Sequence, residues 1–312
     1  MSDAPCPAET GRPAAEAAKA DRLRADVLVE ALPYIKNYQG STVVIKYGGH
    51  AMIDERLRDG FAQDVALLRL VGFKPVVVHG GGPQIDALLK RLNIDFRFVE
   101  GQRFTDEVTM EAVEMVLSGR VGQDIVSRIT RAGAGAVGLT GKDAGLIKAA
   151  RKRLSRPSLE ADAPDEIVDI GLVGEPVAIN VELIRHLSAG GFVPVISPVG
   201  ADEAGTTYNI NADAVAAAVA ASLSAARLIL LTDVTGVLDH EGRLIERLAE
   251  AQLNELKRAG HVTGGMLPKL DCCLTAVKGG CRAASIVDGR EPHAVLLELF
   301  TDKGSGTEVT LA

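Results

Sequence analysis

Tryptophan is absent, aromatic residues make up only 4% of the chain, and the formal charge is -7. A dedicated nucleic-acid surface needs a basic excess and stacking rings, so that class is excluded. Cysteine is scarce too. Cys6, Cys272, Cys273 and Cys281 form no CxxC pair, so they read as thiols in a reducing compartment and no protein metal site is assigned. Long hydrophobic runs are also missing. The most apolar stretch, Ala212 to Leu231, is mostly alanine and carries Asp213 and Arg227, which makes it a poor membrane span. Residues 1–20 hold charges and prolines but no apolar segment, so a disordered tail is expected there in place of a signal peptide or anchor. The expected location is cytoplasmic, with neither membrane nor nucleic acid as a partner.

Familiar nucleotide and hydrolase signatures fail on inspection. GAGAVG at 133–138 has GxGxxG spacing, but a helical pattern precedes it and a strand follows, the reverse of a dinucleotide fingerprint. Gly141-Lys142 lacks the Walker loop's first glycine, and Asp143 replaces its Ser or Thr. HGGG at His79 to Gly82 resembles a lipase oxyanion loop, yet no GxSxG elbow accompanies it.

What is present is a chain of 312 residues, 47% apolar and 24% charged, enough for one large or two modest domains. Leu23, Val27, Ala31, Leu32 and Ile35 recur at helical spacing and predict an amphipathic helix over 21–38, with packing on its own domain or on another subunit as its role. Short runs apolar on both faces follow: Thr42–Lys46, Pro75–His79, Ala136–Thr140, Phe192–Ser197 and Leu228–Thr232. Alternating with helical patterns, they predict an α/β fold, a three-layer α/β/α sandwich around a mostly parallel sheet. One such helix spans Asp106 to Leu117, with Thr105 as cap and Val108, Ala112, Met115 and Val116 on one face. The charged segment from Ala144 to Val177 predicts an exposed hairpin or loop insertion.

Candidate functional residues cluster where strands end. In VVIKYGGHAM, Lys46 and the Gly48-Gly49 pair close a strand, and Gly80-Gly81-Gly82 close the next one. Successive glycines let backbone N–H groups approach an anion without a Cβ in the way. TTYNINADAVAAAVA places Asn209, Asn211 and Asp213 at the start of an alanine-rich helix, and HVTGGMLPKL supplies Gly264-Gly265 and Lys269 at the start of another. Each alone has an ordinary reading as a turn, a cap or a solvated lysine. Together they suit an anion site at the carboxyl ends of a parallel sheet.

The ordered set VIKYGGHAM, VVVHGGGPQI, GQRFTDEVTMEAVEMVLSGRV, GLTGKDAGLI, DIGLVGEP, YNINAD, LLTDVTGV, GGMLPKL and DGREPHAVLLELFTDKGSGT runs from about Gly40 to the C-terminus. It closely resembles the N-acetyl-L-glutamate kinases of the amino-acid kinase family. The resemblance implies transfer of the γ-phosphoryl group of ATP, with Mg2+, to the side-chain carboxylate of N-acetyl-L-glutamate in L-arginine biosynthesis. It also implies an amino-acid kinase domain over 39–312, with an acetylglutamate-binding lobe over about 39–200 and an ATP-binding lobe over about 201–312. By that resemblance Lys46, Lys269, Asp213, Gly49 and Gly81 are catalytic. Gly81, Gly82, Arg103 and Asn209 bind the substrate, and Thr232, Asp233, Gly236, Gly264, Gly265 and Lys269 contact the nucleotide.

The N-terminal helix and the C-terminal DGREPHAVLLELFTDKGSGT resemble the arginine-inhibited branch, whose helices interlace dimers into a homohexamer. L-arginine is therefore the expected inhibitor, with His293, Glu298 and Gly304 as its candidate site, and a homo-oligomer, dimer or hexamer, is the expected assembly. One departure falls at Ser285, where relatives often carry His. The rival readings are an aspartate, glutamate or carbamate kinase, and a non-catalytic arginine-sensing protein that kept the pocket.

Overall fold

The structure, a computed structural model, describes residues 14–156, 166–262 and 264–311. Eight strands form one sheet: β1 (Thr42–Tyr47), β2 (Lys74–His79), β3 (Ala136–Thr140), β4 (Val193–Ser197), β5 (Arg227–Thr232), β6 (Arg247–Ala249), β7 (Ala284–Asp288) and β8 (Thr307–Thr310). Their spatial order is β6-β8-β7-β5-β1-β2-β4-β3, parallel from β7 through β3, with β8 antiparallel to β7. The five strands read from the sequence are all in it, each within a residue of its expected bounds. Because β1 lies between β2 and β5, the chain leaves it in one direction early and returns on its other side later. Such a reversal opens a crevice beyond the strands' carboxyl ends.

Strand parity sorts the core into two layers. Val43, Ile45, Tyr47, Val77, Val195, Ile229 and Leu231 face one cluster, and Val44, Val76, Val78, Ile196, Leu228 and Leu230 face the other. The first layer is covered by helices α2 (Glu55–Leu70), α3 (Gly82–Arg91), α4 (Glu107–Glu114), α5 (Gly122–Arg131) and the later α10 (Ala294–Leu299). The second is covered by α6 (Val181–Ala189), α7 (Ala212–Ser222), α8 (Glu250–Arg258) and α9 (Met266–Lys278). Alanines keep α7 thin enough for α9 to close on it: a Cβ at Gly279 would stand 2.5 Å from that of Ala221. The three-layer α/β/α sandwich is therefore built as the runs predicted.

Three local expectations are corrected. Asp106, and not Thr105, caps α4, accepting the Thr109 N–H at 2.8 Å; Thr105 is buried and its hydroxyl donates to the Arg103 carbonyl. Thr109, Met110, Ala112, Val113 and Val116 make the inward face, whereas Val108 and Met115, which share another edge of the helix, are exposed; a π-helical turn follows at Met115–Val121. The charged segment is only partly an exposed hairpin. Leu154–Arg156 pairs with Glu166–Val168 as one, but the flanking strands Ile147–Arg151 and Val173–Ile179 join Val199–Ala201 and Thr207–Ile210 in a small closed barrel with Ile147, Ala149 and Val173 buried.

The first helix, α1, runs Ala14–Tyr38, so residues 14–20 of the expected tail are helical, and residues 1–13 lie outside the described residues. Its C-terminal end is anchored by Tyr38 against Phe73 and by the Tyr34 hydroxyl on Asp302. Leu23, Val27, Leu28, Val29 and Leu32 on the rest of it are exposed. No helix among the described residues is long and apolar enough to cross a membrane.

Candidate active site

Lys46 is the penultimate residue of β1, and its parity points it at the α7 layer. Asp213 meets it there from the first turn of α7, whose N-cap Asn211 accepts the N–H groups of Asp213 and Ala214 at 2.8 and 3.2 Å. The third member is Lys269 in the first turn of α9. Its Nζ donates to Asp213 Oδ2 at 2.8 Å, and Lys46 Nζ lies 3.1 Å from Oδ1. Burial alone would raise the Asp213 carboxyl, but the two ammonium groups more than offset it and hold the pKa down at about 2. One carboxylate thus spaces two cations that would otherwise repel.

The two glycine turns stand beside this triad and are bonded to each other through Gly80 N–H and the Tyr47 carbonyl, 2.8 Å apart. Space and conformation explain the glycines at two points. A Cβ at Gly48 would meet Lys46 Nζ at 2.7 Å. Gly49 has φ +70°, and a Cβ there would lie 2.5 Å from Asp233 Oδ1. Asp233, just past β5, accepts the His50 N–H at 2.7 Å and faces the imidazole at 3.2 Å. Burial opposes its charge, but these contacts prevail and its pKa is lowered. Asp233 therefore braces the Gly49 turn.

A cavity of about 530 Å³ opens next to the triad, lined among others by Arg103, Asn209, Asp213, Gly264, Gly265 and Lys269. Arg103 is buried, stacked on Phe96 and Phe98 with its guanidinium carbon 5.2 and 4.8 Å from the ring centres, and paired through Nη2 with Asp86 at 2.5 Å. Its Nη1 is buried without a partner. A desolvated cationic donor held at a cavity wall is poised for an anion. The Asn209 amide donates to Thr105 Oγ1 at 3.2 Å, the hydroxyl that itself holds the Arg103 carbonyl.

The structure thus brings Lys46, Asp213, Lys269, Arg103, Asn209, Gly264 and Gly265 to one place, with Gly49, Gly81, Gly82 and Asp233 in the turns behind it. Gly236 is not among the residues lining the cavity; a Cβ there would strike Leu244 and Thr307 at 2.6 and 2.7 Å, and Thr232 is buried at the end of β5. Asp86, Phe96 and Phe98 were not read from the sequence, and Thr105 was read only as a helix cap. In the sequence Phe96 and Phe98 flank Arg97, which stacks on Phe104 instead, so no local pattern tied them to Arg103.

Away from the cavity, Glu298 is buried and accepts the Ser305 N–H at 2.9 Å, beside Gly304 at φ +70°. His293, at the head of α10, meets Asp64 at 2.6 Å. Ser285 is buried 3.4 Å from Arg227 Nη1, which also pairs with Glu308. Cys272, Cys273 and Cys281 are free, with thiol pKa values raised by burial, so they stay protonated.

The amino acid kinase family model matches residues 41–288. The chain belongs to the amino acid kinase family. It is 57% identical to an acetylglutamate kinase of Nitratidesulfovibrio vulgaris over 92% of its own length and 93% of that protein's. To one from Syntrophus aciditrophicus it is 54% identical, over 92% and 97%. Among solved structures, N-acetylglutamate synthase from Neisseria gonorrhoeae, complexed with coenzyme A and N-acetyl-glutamate, superposes with a TM-score of 0.76 at 25% identity. That match covers 92% of this chain but 63% of the synthase. A Giardia carbamate kinase, at TM-score 0.63 and 17% identity, shares the amino acid kinase fold.

Proposed function

We infer that this family member transfers the γ-phosphoryl group of ATP to the side-chain carboxylate of N-acetyl-L-glutamate, giving N-acetyl-L-glutamyl 5-phosphate and ADP for L-arginine biosynthesis. The observation that carries the reading is the Lys46–Asp213–Lys269 triad opening onto the cavity that Arg103 enters. The acceptor carboxylate is already ionised, so no general base is needed. The obstacle is an anion attacking a polyanion, and the remedy is positioning plus preorganised positive charge.

In this mechanism Lys46 and Lys269 stabilise the transferring phosphoryl group from two sides, and Asp213 keeps both ammonium groups aimed. The Gly49 and Gly81 N–H groups hydrogen-bond phosphoryl oxygens. Arg103 clamps the α-carboxylate, with Asp86 and the two phenyl rings fixing its plane; Gly81, Gly82 and Asn209 complete the acetylglutamate side. Thr232, Asp233, Gly236, Gly264, Gly265 and Lys269 are the nucleotide side, which suits an acetylglutamate lobe over about 39–200 and an ATP lobe over about 201–312, with Asn209 reaching the acetylglutamate side from the latter. Among the described residues no three His, Cys, Asp or Glu side chains are grouped to hold a metal. Mg2+ would enter with ATP and would offset the charge of its phosphates.

The test is ADP release from Mg·ATP with N-acetyl-L-glutamate, L-glutamate, L-aspartate or carbamate as acceptor. Turnover is expected with the acetylated substrate alone; silence from a folded chain that still binds arginine would make it a binding protein. We also assign L-arginine as inhibitor at the His293, Glu298 and Gly304 cluster and a second copy of the chain as the occupant of the exposed apolar face of α1, in a cytoplasmic homo-oligomer. What supports this is the pairing of Glu298 with the Gly304 turn and the stripe from Leu23 to Leu32. Deleting residues 1–32 is expected to lower the mass seen in sedimentation and weaken arginine inhibition while turnover persists. Unchanged mass would remove α1 from the assembly.

A further inference from the structure

His79 ends β2 on the sheet face opposite Lys46, fully buried, and no role above uses its side chain. Its Nδ1 lies 2.9 Å from the Gly80 carbonyl and its Nε2 lies 3.1 Å from Ser197 Oγ. The carbonyl can only accept, so Nδ1 carries the hydrogen. Burial pushes the imidazole down to about 4, leaving Nε2 bare at neutral pH, where it needs a donor. Ser197 is that donor. Its other neighbour, the Leu117 carbonyl at 3.3 Å, already receives the Gly122 N–H inside the π-helical turn.

The surroundings are shaped to this ring. A Cβ at Gly122 would stand 3.3 Å from Nε2 and 3.1 Å from the Leu117 oxygen, so glycine at the start of α5 lets the helix close over the imidazole. The same π-helical turn lays Leu117 against Gly81, where a Cβ would meet Cδ2 at 2.5 Å. The polar hub and the glycine turn are thus locked by one segment.

From this geometry we propose that His79 is a positioning residue, which sets the direction of the Gly81 N–H through the Gly80 carbonyl. The bond between Gly80 and Gly81 is a planar trans peptide, so its C=O and N–H point in opposite directions. Holding the oxygen on the imidazole turns the N–H away from the buried layer. His79 reaches the reaction only through this peptide, since the sheet separates it from the two ammonium groups. The proposal rests on the reading of Gly81 as a phosphoryl donor.

Selective 15N labelling of histidine in the wild-type chain tests the tautomer directly. A protonated, slowly exchanging Nδ1 and a bare Nε2 are expected, and an Nε2–H form would overturn the proposal. Kinetics test the consequence. Asn places its amide nitrogen where Nδ1 stands, so His79→Asn is expected to keep kcat within about 3-fold, whereas His79→Gln and His79→Leu lose about 10²-fold in kcat with KM for both substrates little changed. Folded His79→Leu with near wild-type kcat, or a folded His79→Asn as impaired as His79→Leu, would reduce the residue to packing. If the wild-type chain phosphorylates no acceptor, the reading of the site fails instead, whatever the tautomer.

Discussion

Lys46→Ala and Lys269→Ala are each expected to lower kcat by about 10³-fold while KM for N-acetyl-L-glutamate and Mg·ATP moves by less than about 5-fold. Negative charge moves onto the equatorial and bridging oxygens as the phosphoryl group passes between nucleotide and acceptor. A cation fixed before the reaction stabilises that change more than the ground state. Arg103→Ala is expected to show the opposite split, a KM for N-acetyl-L-glutamate raised about 10²-fold with kcat within about 5-fold, because its clamp acts equally on ground and transition states. Steady-state kinetics on the three variants decide the matter. If the lysine variants raise KM at constant kcat, or the arginine variant does the reverse, the roles are exchanged. Lys46→Arg is not expected to rescue, because the ammonium already fills the space a Gly48 Cβ would need.

Asp213→Asn is expected to cost about 3–5 kcal/mol of stability at neutral pH as well as most of kcat. The amide keeps the shape but leaves two ammonium groups facing each other with no counter-charge in a largely buried site. The sign with pH follows from the carboxyl being held at about 2, below the ordinary aspartate value of 3.8. Above about 4 the carboxylate is ionised in both folded and unfolded chains and its full contribution is present. As pH falls from about 4 towards 2 the unfolded chain takes the proton first, and the contribution is lost by the time pH has passed below the folded value. Urea denaturation from pH 7 downwards should therefore show wild type approaching Asp213→Asn as the acid is titrated. A variant as stable as wild type at pH 7 would mean that the triad spaces its cations without stabilising the fold.

Much of the architecture was legible because buried parallel strands are apolar on both faces and helices are amphipathic. Runs such as Thr42–Lys46 and Leu228–Thr232 therefore announced the sheet to within a residue. Helix phase was less legible: Val108, Ala112, Met115 and Val116 fit a regular 3.6-residue face, but so do Thr109, Ala112, Val113 and Val116, and tertiary packing chose the second. The barrel at the base of the charged segment was hidden because its partners, Val199–Ala201 and Thr207–Ile210, come later in the chain. No local pattern reports a pairing between segments so far apart.

The sequence by itself determined the residue chemistry of the site: a lysine before two glycines, a carboxylate at a helix start, a second lysine at another. These are short-range facts, set by strand parity, caps and the freedom of glycine. Only the tertiary structure decided that Asp213 stands between Lys46 and Lys269, that Arg103 is stacked and tied to Asp86, and that His79 turns away from the cations. Each of these depends on which face of the sheet a side chain leaves and which helix covers it, and that is settled by the order of strands in space.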